Sequence, residues 1–215
     1  MSGFQFAPSV AIHLDSISKK NFVFNFGLVY ELSTTINAKY FQRLDRLNGT
    51  GIPLDSLTLI SNQPGKISLP QSIAMGVSFG KDATWTAALD GSYASYSSYR
   101  GLDGTNPYAS TNWRVAAGFE FTPDRQSLTS YLKRTTFRTG VSLENYPYLV
   151  NGNAVKDFGI TFGLSLPVTG LSSLDLGLKV GKKGDKNLNT IEENYIKLYF
   201  GITFIDQWFI KRKFD

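Results

Sequence analysis

Cysteine is absent from the chain, which excludes disulfides, thiolate nucleophiles and zinc-thiolate sites. Histidine is almost absent as well. The single one, His13, has no dense set of carboxylates near it in sequence, so it reads as a polar wall residue rather than a metal ligand or general base. No window approaches the roughly 18 continuous apolar residues of a membrane-spanning helix, a test that alternating strands escape because half of their residues are polar. The opening Met1-Ser-Gly-Phe-Gln-Phe6 lacks the basic start, apolar run and small-residue cleavage site of an export signal. Either a signal has been removed or the sequence begins late. Charge of one sign is only slightly in excess, with 22 Lys and Arg against 17 Asp and Glu. The basic residues are scattered, and the longest run, Lys211-Arg-Lys213, sits at the terminus, so no nucleic-acid partner is expected. There is no Ser-His-Asp order, paired-carboxylate motif or nucleophile elbow, and Gly181-Lys-Lys-Gly-Asp185 lacks the spacing of a phosphate-binding loop. No enzyme activity, metal or cofactor is expected.

What the chain has in quantity is aromatic residues and glycine: 16 Phe, 11 Tyr, 3 Trp and 20 Gly in 215 residues. That composition favours strands and turns over helices. Alternation is clearest from Ile196 to Phe204, where Ile196, Leu198, Phe200, Ile202 and Phe204 share one face and Lys197, Tyr199, Gly201 and Thr203 the other. Eight earlier segments repeat the pattern. They begin near Phe4, Phe22 (with an extension as far as Tyr40), Ile67, Trp85, Trp113, Phe137, Phe158 and Leu174. Pro8 implies a bulge or an edge in the first. Residues 41–65 read as a long connection, with a short ribbon around Leu54 to Ile60, and residues 95–111, 145–154 and 182–192 as further loops. Asn48-Gly-Thr50 reads as a turn.

The runs exceed the 5 to 6 residues usual for globular strands, and short connections (15–20, 80–83, 167–171) alternate with the long ones. Only 122–133 breaks the rhythm. The apolar lanes contain no Asp, Glu, Lys, Arg or His, whereas the opposite lanes hold His13, Glu31, Asp90, Arg114, Glu120, Arg138, Glu144, Asp157, Asp175, Lys179 and Lys197. This predicts an all-β, antiparallel transmembrane β-barrel of about nine strands in the outer membrane of a Gram-negative bacterium, with residues 1–205 as wall and 206–215 as a basic aromatic tail. An odd strand count implies a C-terminal portion of a larger barrel, lacking N-terminal strands.

On the polar lanes, Arg114, Glu120, Arg138 and Glu144 form a candidate charged ladder, either salt-bridged or open to a ligand headgroup. Lys182, Lys183 and Lys186 are candidates for contact with outer-leaflet lipid phosphates. Trp85, Trp113, Trp208, Tyr30 and Tyr93 suit an interfacial aromatic girdle or ordinary sheet packing. Gly27, Gly76, Gly80, Gly118, Gly140, Gly159, Gly163, Gly177, Gly181 and Gly201 line the same face as the charges. They either admit a plug or relieve crowding on a curved wall.

Tyr131-Leu-Lys-Arg134 with Phe137-Arg-Thr-Gly140, Asn151-Gly152, Asp157-Phe-Gly-Ile-Thr-Phe-Gly163, Glu193-Asn-Tyr195 and Trp208-Phe-Ile-Lys-Arg-Lys213 resemble the C-terminal half of FadL-like outer-membrane channels, over roughly residues 65–215. The resemblance implies a porin-like barrel for passive uptake of hydrophobic small molecules such as long-chain fatty acids. Outer-membrane lipid and a hydrophobic ligand would be its partners, and an N-terminal barrel segment and hatch would lie outside these residues. A structural or adhesive barrel without transport, and a soluble lipocalin-like binding barrel, are the alternative expectations.

Overall fold

A computed structural model of the protein describes residues 2–17, 21–168, 172–189 and 191–204. The basic aromatic tail, with Trp208 and Lys211 to Lys213, lies outside the described residues. Among the described residues eleven strands follow one another. The first six are β1 (Ser9–Ile17), β2 (Phe22–Glu31), β3 (Thr34–Leu47), β4 (Pro53–Leu69), β5 (Gln71–Lys81) and β6 (Trp85–Ser95). They are followed by β7 (Thr111–Phe121), β8 (Thr136–Val150), β9 (Asn153–Pro167), β10 (Ser173–Gly184) and β11 (Glu192–Thr203). The helical pieces are short: α1 (Tyr131–Arg134), α2 (Lys186–Asn189) and a 3-10 turn at Tyr96–Ser98.

Nine strands form one antiparallel sheet in the order β1-β2-β5-β6-β7-β8-β9-β10-β11, and β3 and β4 pair separately as a two-stranded ribbon between β2 and β5. The all-β antiparallel expectation holds. The sheet does not close: β1 and β11 are its two edges, and no pairing joins them among the described residues.

The alternation read strand by strand is tested by the hydrogen-bond register, which owes nothing to residue type. Ile12, Phe26, Val77, Leu89, Ala117, Val141, Ile160, Val180 and Ile196 are successive partners across all nine strands. One step along, Ala11, Gly27, Gly76, Asp90, Ala116, Ser142, Gly159, Gly181 and Tyr195 do the same. A slip of one residue in any strand would have mixed the two rows.

Burial on these faces is inverted relative to a soluble protein. In β9, Phe158, Ile160, Phe162 and Leu164 are exposed while Asp157, Gly159 and Ser165 are buried. Among the described residues only Ala38 and Val155 are buried hydrophobics, whereas Leu198, Phe200 and Met75 are 81%, 70% and 58% exposed. A chain this long that folds around a core buries most of its large apolar side chains. The nine-stranded sheet presents most of its own along one face.

Several boundaries differ from expectation. The first strand begins after Pro8, which has no N–H to give the ladder, although the carbonyls of Phe6 and Pro8 still accept from Leu32 and Tyr30. Residues 41–65 are not a long connection. They belong to the ribbon, which runs from Thr34 to Leu69 and turns only at residues 48–52, where the Asn48 side chain accepts from the backbone N–H groups of Thr50 and Ile52. Irregular pairing at Tyr40/Gln42, Gln42/Arg43 and Arg46/Leu47 breaks the period-two pattern there. The 145–154 loop is a tight hairpin in which Asn151 and Gly152, both at positive φ, turn β8 directly into β9. The 182–192 loop shrinks to the few residues around α2.

The long ribbon, the 96–110 loop and the α2 connection leave one end of the sheet. The connections 82–84 and 122–135 leave the other. On the apolar face near that second end, Phe22, Phe79, Trp85 and Phe119 form a row of rings with centroids 5.3, 5.9 and 6.2 Å apart. Tyr30, Tyr93 and Trp113 align through Ile73 near the first end.

Candidate functional site

The polar face of β7 to β11 carries two connected networks. The first lies towards the short connections. Arg138, on β8, donates from Nε to Glu120 Oε2 on β7 at 2.6 Å and from Nη1 to Ser165 Oγ on β9 at 2.6 Å. The same Nη1 lies 3.6 Å from Asp175 Oδ1 on β10, which also accepts from Ser165. Thr203 of β11 donates to Asp175 Oδ2 at 3.1 Å. One guanidinium thus links groups on four strands, a task suited to its planar fork, and Asp175 extends the network to β11.

The second network is deeper. Asp157, on β9, is 4% exposed and accepts from the Tyr195 hydroxyl on β11 at 2.9 Å on each carboxylate oxygen, with Lys179 Nζ of β10 at 3.5 Å. Burying a carboxylate without partners costs several kcal/mol, on the order of the penalty for an unpaired ion. Here a hydroxyl and an ammonium supply them. Tyr195 reaches Asp157 by lying over the glycines between them. A Cβ on Gly181 would sit 2.4 Å from the Tyr195 hydroxyl, and one on Gly159 would sit 2.2 Å from Lys179 Cε. Lys197, which stands opposite Lys179 in the register, packs its Nζ 4.7 Å from the centre of the Tyr195 ring.

The four ladder candidates come together in the register. Glu120 pairs with Arg138, and Arg114 stands directly opposite Glu144. Asp157 follows Glu144 in the same row and Lys183 follows Asp157. The three lysines read as lipid-phosphate contacts separate. Lys182 is paired with Glu192 at 3.0 Å, Lys183 lies on the polar face over the rings of Tyr146 (4.5 Å) and Tyr148 (5.3 Å), and Lys186 opens α2. His13 bonds to Asn25 and to Asp15. Among the described residues no three His, Cys, Asp or Glu side chains are placed to hold a metal ion.

Sequence reasoning named Tyr195 only within Glu193-Asn-Tyr195, not as a site residue, and did not single out Tyr146 or Ser165. Their lane was legible, but which lane residues touch depends on register across three strands.

Outside the sheet, the 96–110 loop is held by local bonds. Asp103 accepts from the backbone N–H and hydroxyl of Thr105, which holds its carboxyl below the usual range. Burial against Tyr108 pushes the Tyr99 phenol up. Tyr96, Tyr99 and Tyr108 form a three-ring cluster, and Arg100 pairs with Ser68 of β4, so the loop steadies the foot of the ribbon.

On the apolar face an open hollow of about 890 Å³ is bordered by Phe119, Phe137, Phe162, Leu178 and Phe200. Thr139 stands between Phe119 and Phe162 in the register, where a larger side chain would fill part of that space.

The family model BamG matches residues 1–215, the whole chain. No curated protein matches it.

Proposed function

Since the chain belongs to the BamG family, a family related to outer-membrane assembly in Gram-negative bacteria, we propose that it forms part of a transmembrane β-barrel wall and serves that assembly. The observation that carries this reading is the inverted burial of the nine-stranded sheet. In water, a face with Met75, Leu89, Val115, Phe162, Leu198 and Phe200 exposed together would exceed the few hundred Å² of apolar patch that monomers tolerate. In lipid the same face is the required one. From Trp85 to Tyr93, between the two aromatic rows, β6 advances about 26 Å at about 3.3 Å per residue. At the roughly 35–45° tilt of barrel strands that length rises about 19–22 Å, which fits within an apolar band about 25 Å tall.

The cysteine-free chain makes the test direct. Phe162→Cys is expected to react in native membranes only with a lipid-soluble maleimide, whereas Thr161→Cys, one step along β9, reacts with a small charged thiol reagent. Equal labelling of both by the charged reagent would remove the membrane reading. For the assembly role, depletion of the chain is expected to lower the amounts of other outer-membrane barrels, and unchanged amounts would exclude it. In the same reading the ribbon end faces the cell exterior, so protease added to intact cells cuts at residues 48–52 and spares 122–135.

A second reading, passive uptake of hydrophobic small molecules such as long-chain fatty acids, is favoured by the phenylalanine-bordered hollow. Uptake of labelled fatty acid that is the same with and without the gene would exclude it.

A further inference from the structure

The hollow on the apolar face lies at the short-connection end of the sheet, where two successive rows of the register border it. Phe121, Phe137 and Leu164 belong to the row nearest the connections, and Phe119, Thr139 and Phe162 to the next. Thr139 is the shortest of these side chains. It stands between Phe119 and Phe162, 44% and 54% exposed, and leaves a notch between their rings. In a bilayer this face is turned to lipid, so the notch opens towards acyl chains. Just before β8 lie two cations. α1 ends in Lys133 and Arg134, and Phe137 follows Arg134 by three residues. The Tyr131 hydroxyl donates to the Pro167 carbonyl at 2.9 Å, which fixes α1 beside the end of β9 that borders the hollow. Neither cation makes an ion pair or a side-chain hydrogen bond among the described residues. Lys133 is exposed, and Arg134 lies over the Tyr131 ring, 5.5 Å from its centre, with no hydrogen-bond partner at Nε. Asp124, the carboxylate of this connection, accepts from the backbone N–H of Gln126, and Arg125 borders a separate hollow with Glu120 and Thr122. Leu132, between Tyr131 and Lys133, is 68% exposed. Exposed apolar side chains interleaved with Lys and Arg suit the boundary between acyl chains and headgroups.

We propose that this end of the sheet holds one phospholipid, with its phosphate on Lys133 and Arg134 and one acyl chain in the Thr139 notch between Phe119 and Phe162. This rests on the membrane reading above. The two parts lie within reach of one molecule, because Thr139 is only about 7 Å along β8 from Phe137, at about 3.3 Å per residue, and α1 adjoins that end. An ammonium and a guanidinium both donate to phosphate oxygens, the guanidinium through its fork. A diacylglycerol would fill the notch and leave the cations unpaired, and inorganic phosphate would do the reverse. A fatty acid carries a charge and a chain as well, but phospholipid is the molecule that surrounds a lipid-facing wall at bilayer concentration.

The test uses the full chain, purified and delipidated in mild detergent, and reads retained ligand by native mass spectrometry. Phosphatidylglycerol, diacylglycerol and palmitate with the same acyl chain, and inorganic phosphate are added singly and in competition. The expected result is one phosphatidylglycerol per chain, held about tenfold or more above each of the other three. Thr139→Leu, which fills the notch, and the double variant Lys133→Gln with Arg134→Gln, which removes the cations, are each expected to weaken retention about tenfold, with folding of each checked by circular dichroism. Lys156→Gln, at an exposed position near the opposite end of β9, is expected to leave it unchanged. Palmitate held as well as phosphatidylglycerol overturns the proposal in favour of a fatty-acid site. Equal retention of diacylglycerol, tight binding of phosphate alone, or a loss in Lys156→Gln as large as that of the double variant overturns it too. A chain that needs detergent to stay monodisperse yet retains no phospholipid overturns this proposal alone, whereas a chain monodisperse without detergent overturns the membrane reading, so the two failures are distinguishable.

Discussion

The two halves of the polar face, built on the same lanes in the same sheet, are furnished in opposite ways. From β8 to β11 the face is filled by its own side chains: Arg138 bridges to Glu120, Ser165 and Asp175, and Tyr195 and Lys179 close over Asp157. From β1 to β7 it is sparser, with Ala11, Gly27, Gly76, Ala88, Ala116 and Gly118 around Asp90 at its middle and shorter links, such as His13 to Asn25 to Ser78 and Ser72 to Glu31, crossing it. Glycine therefore has two meanings on one face. Gly159 and Gly181 seat side chains of neighbouring strands, whereas a Cβ on Gly27 would meet nothing within 4 Å. Relief of crowding accounts for the first group. Over Gly27 the described residues leave the space open.

The contrast predicts where substitutions matter. Asp157→Ala leaves Lys179 beside a buried void and frees the Tyr195 hydroxyl, and breaking a buried ion pair by removing one partner costs about 3–5 kcal/mol. Thermal unfolding of the detergent-extracted protein, followed by circular dichroism, is expected to show the largest loss of the series. A loss no greater than that of an exposed pair would erase the energetic distinction between the halves. Gly181→Ala comes next. Its Cβ would fall 2.4 Å from the Tyr195 ring and 2.8 Å from the Phe158 carbonyl, so the ring must leave its seat. Overpacking of this kind costs about 1–3 kcal/mol, and a double-mutant cycle with Tyr195→Ala should recover the part due to the ring, while the contact with the Phe158 carbonyl remains.

Arg138→Gln is the milder test of the crowded half. Its side chain is 47% exposed and Glu120 is 45% exposed, so solvent screens the pair and the expected loss is about 1 kcal/mol. The same melting measurement checks it. A loss as large as that of Asp157→Ala would mean that the Arg138 network, not the buried carboxylate, holds β7 to β11 together.

How far the sequence could be read follows from the same physics. The nine strands of the large sheet were legible because a two-residue period survives wherever one face is uniformly apolar, and Phe22 to Leu32 or Ile196 to Phe204 show it without interruption. The ribbon was not, because beyond Tyr40 neither of its faces has to be uniform: Arg43 bonds Asp45 while Leu44 and Leu57 stand exposed beside them. The Asn151-Gly152 hairpin was obscured by Pro147, which falls where β8 and β9 lose register between Asn145 and Leu149. Of the site, the pairing of Arg138 with Glu120 needed only neighbouring strands. The approach of Tyr195 to Asp157 crosses β10 and needs the register of three, which alternation along a single strand does not contain.

Gly27→Ala is the smallest expected change and the sharpest probe of the sparser half. Gly27 is flanked by Ala11 and Gly76 in the register and has no atom within 4 Å of the position a Cβ would take. Glycine inside a strand is disfavoured relative to alanine by roughly 0.5–1 kcal/mol through its greater freedom in the unfolded chain. With space available and no neighbour to displace, the substitution should stabilise the isolated chain by about 0.5 kcal/mol, read as a slightly higher melting temperature in detergent. The native membrane adds a second readout. If another segment packs against this half in the membrane, the added methyl meets it there, and the gain seen in detergent turns into a loss when the same variant is melted in native membranes. A gain of equal size in both settings would mean that the sparser half faces only water, and the difference between the halves would then reflect the wall alone.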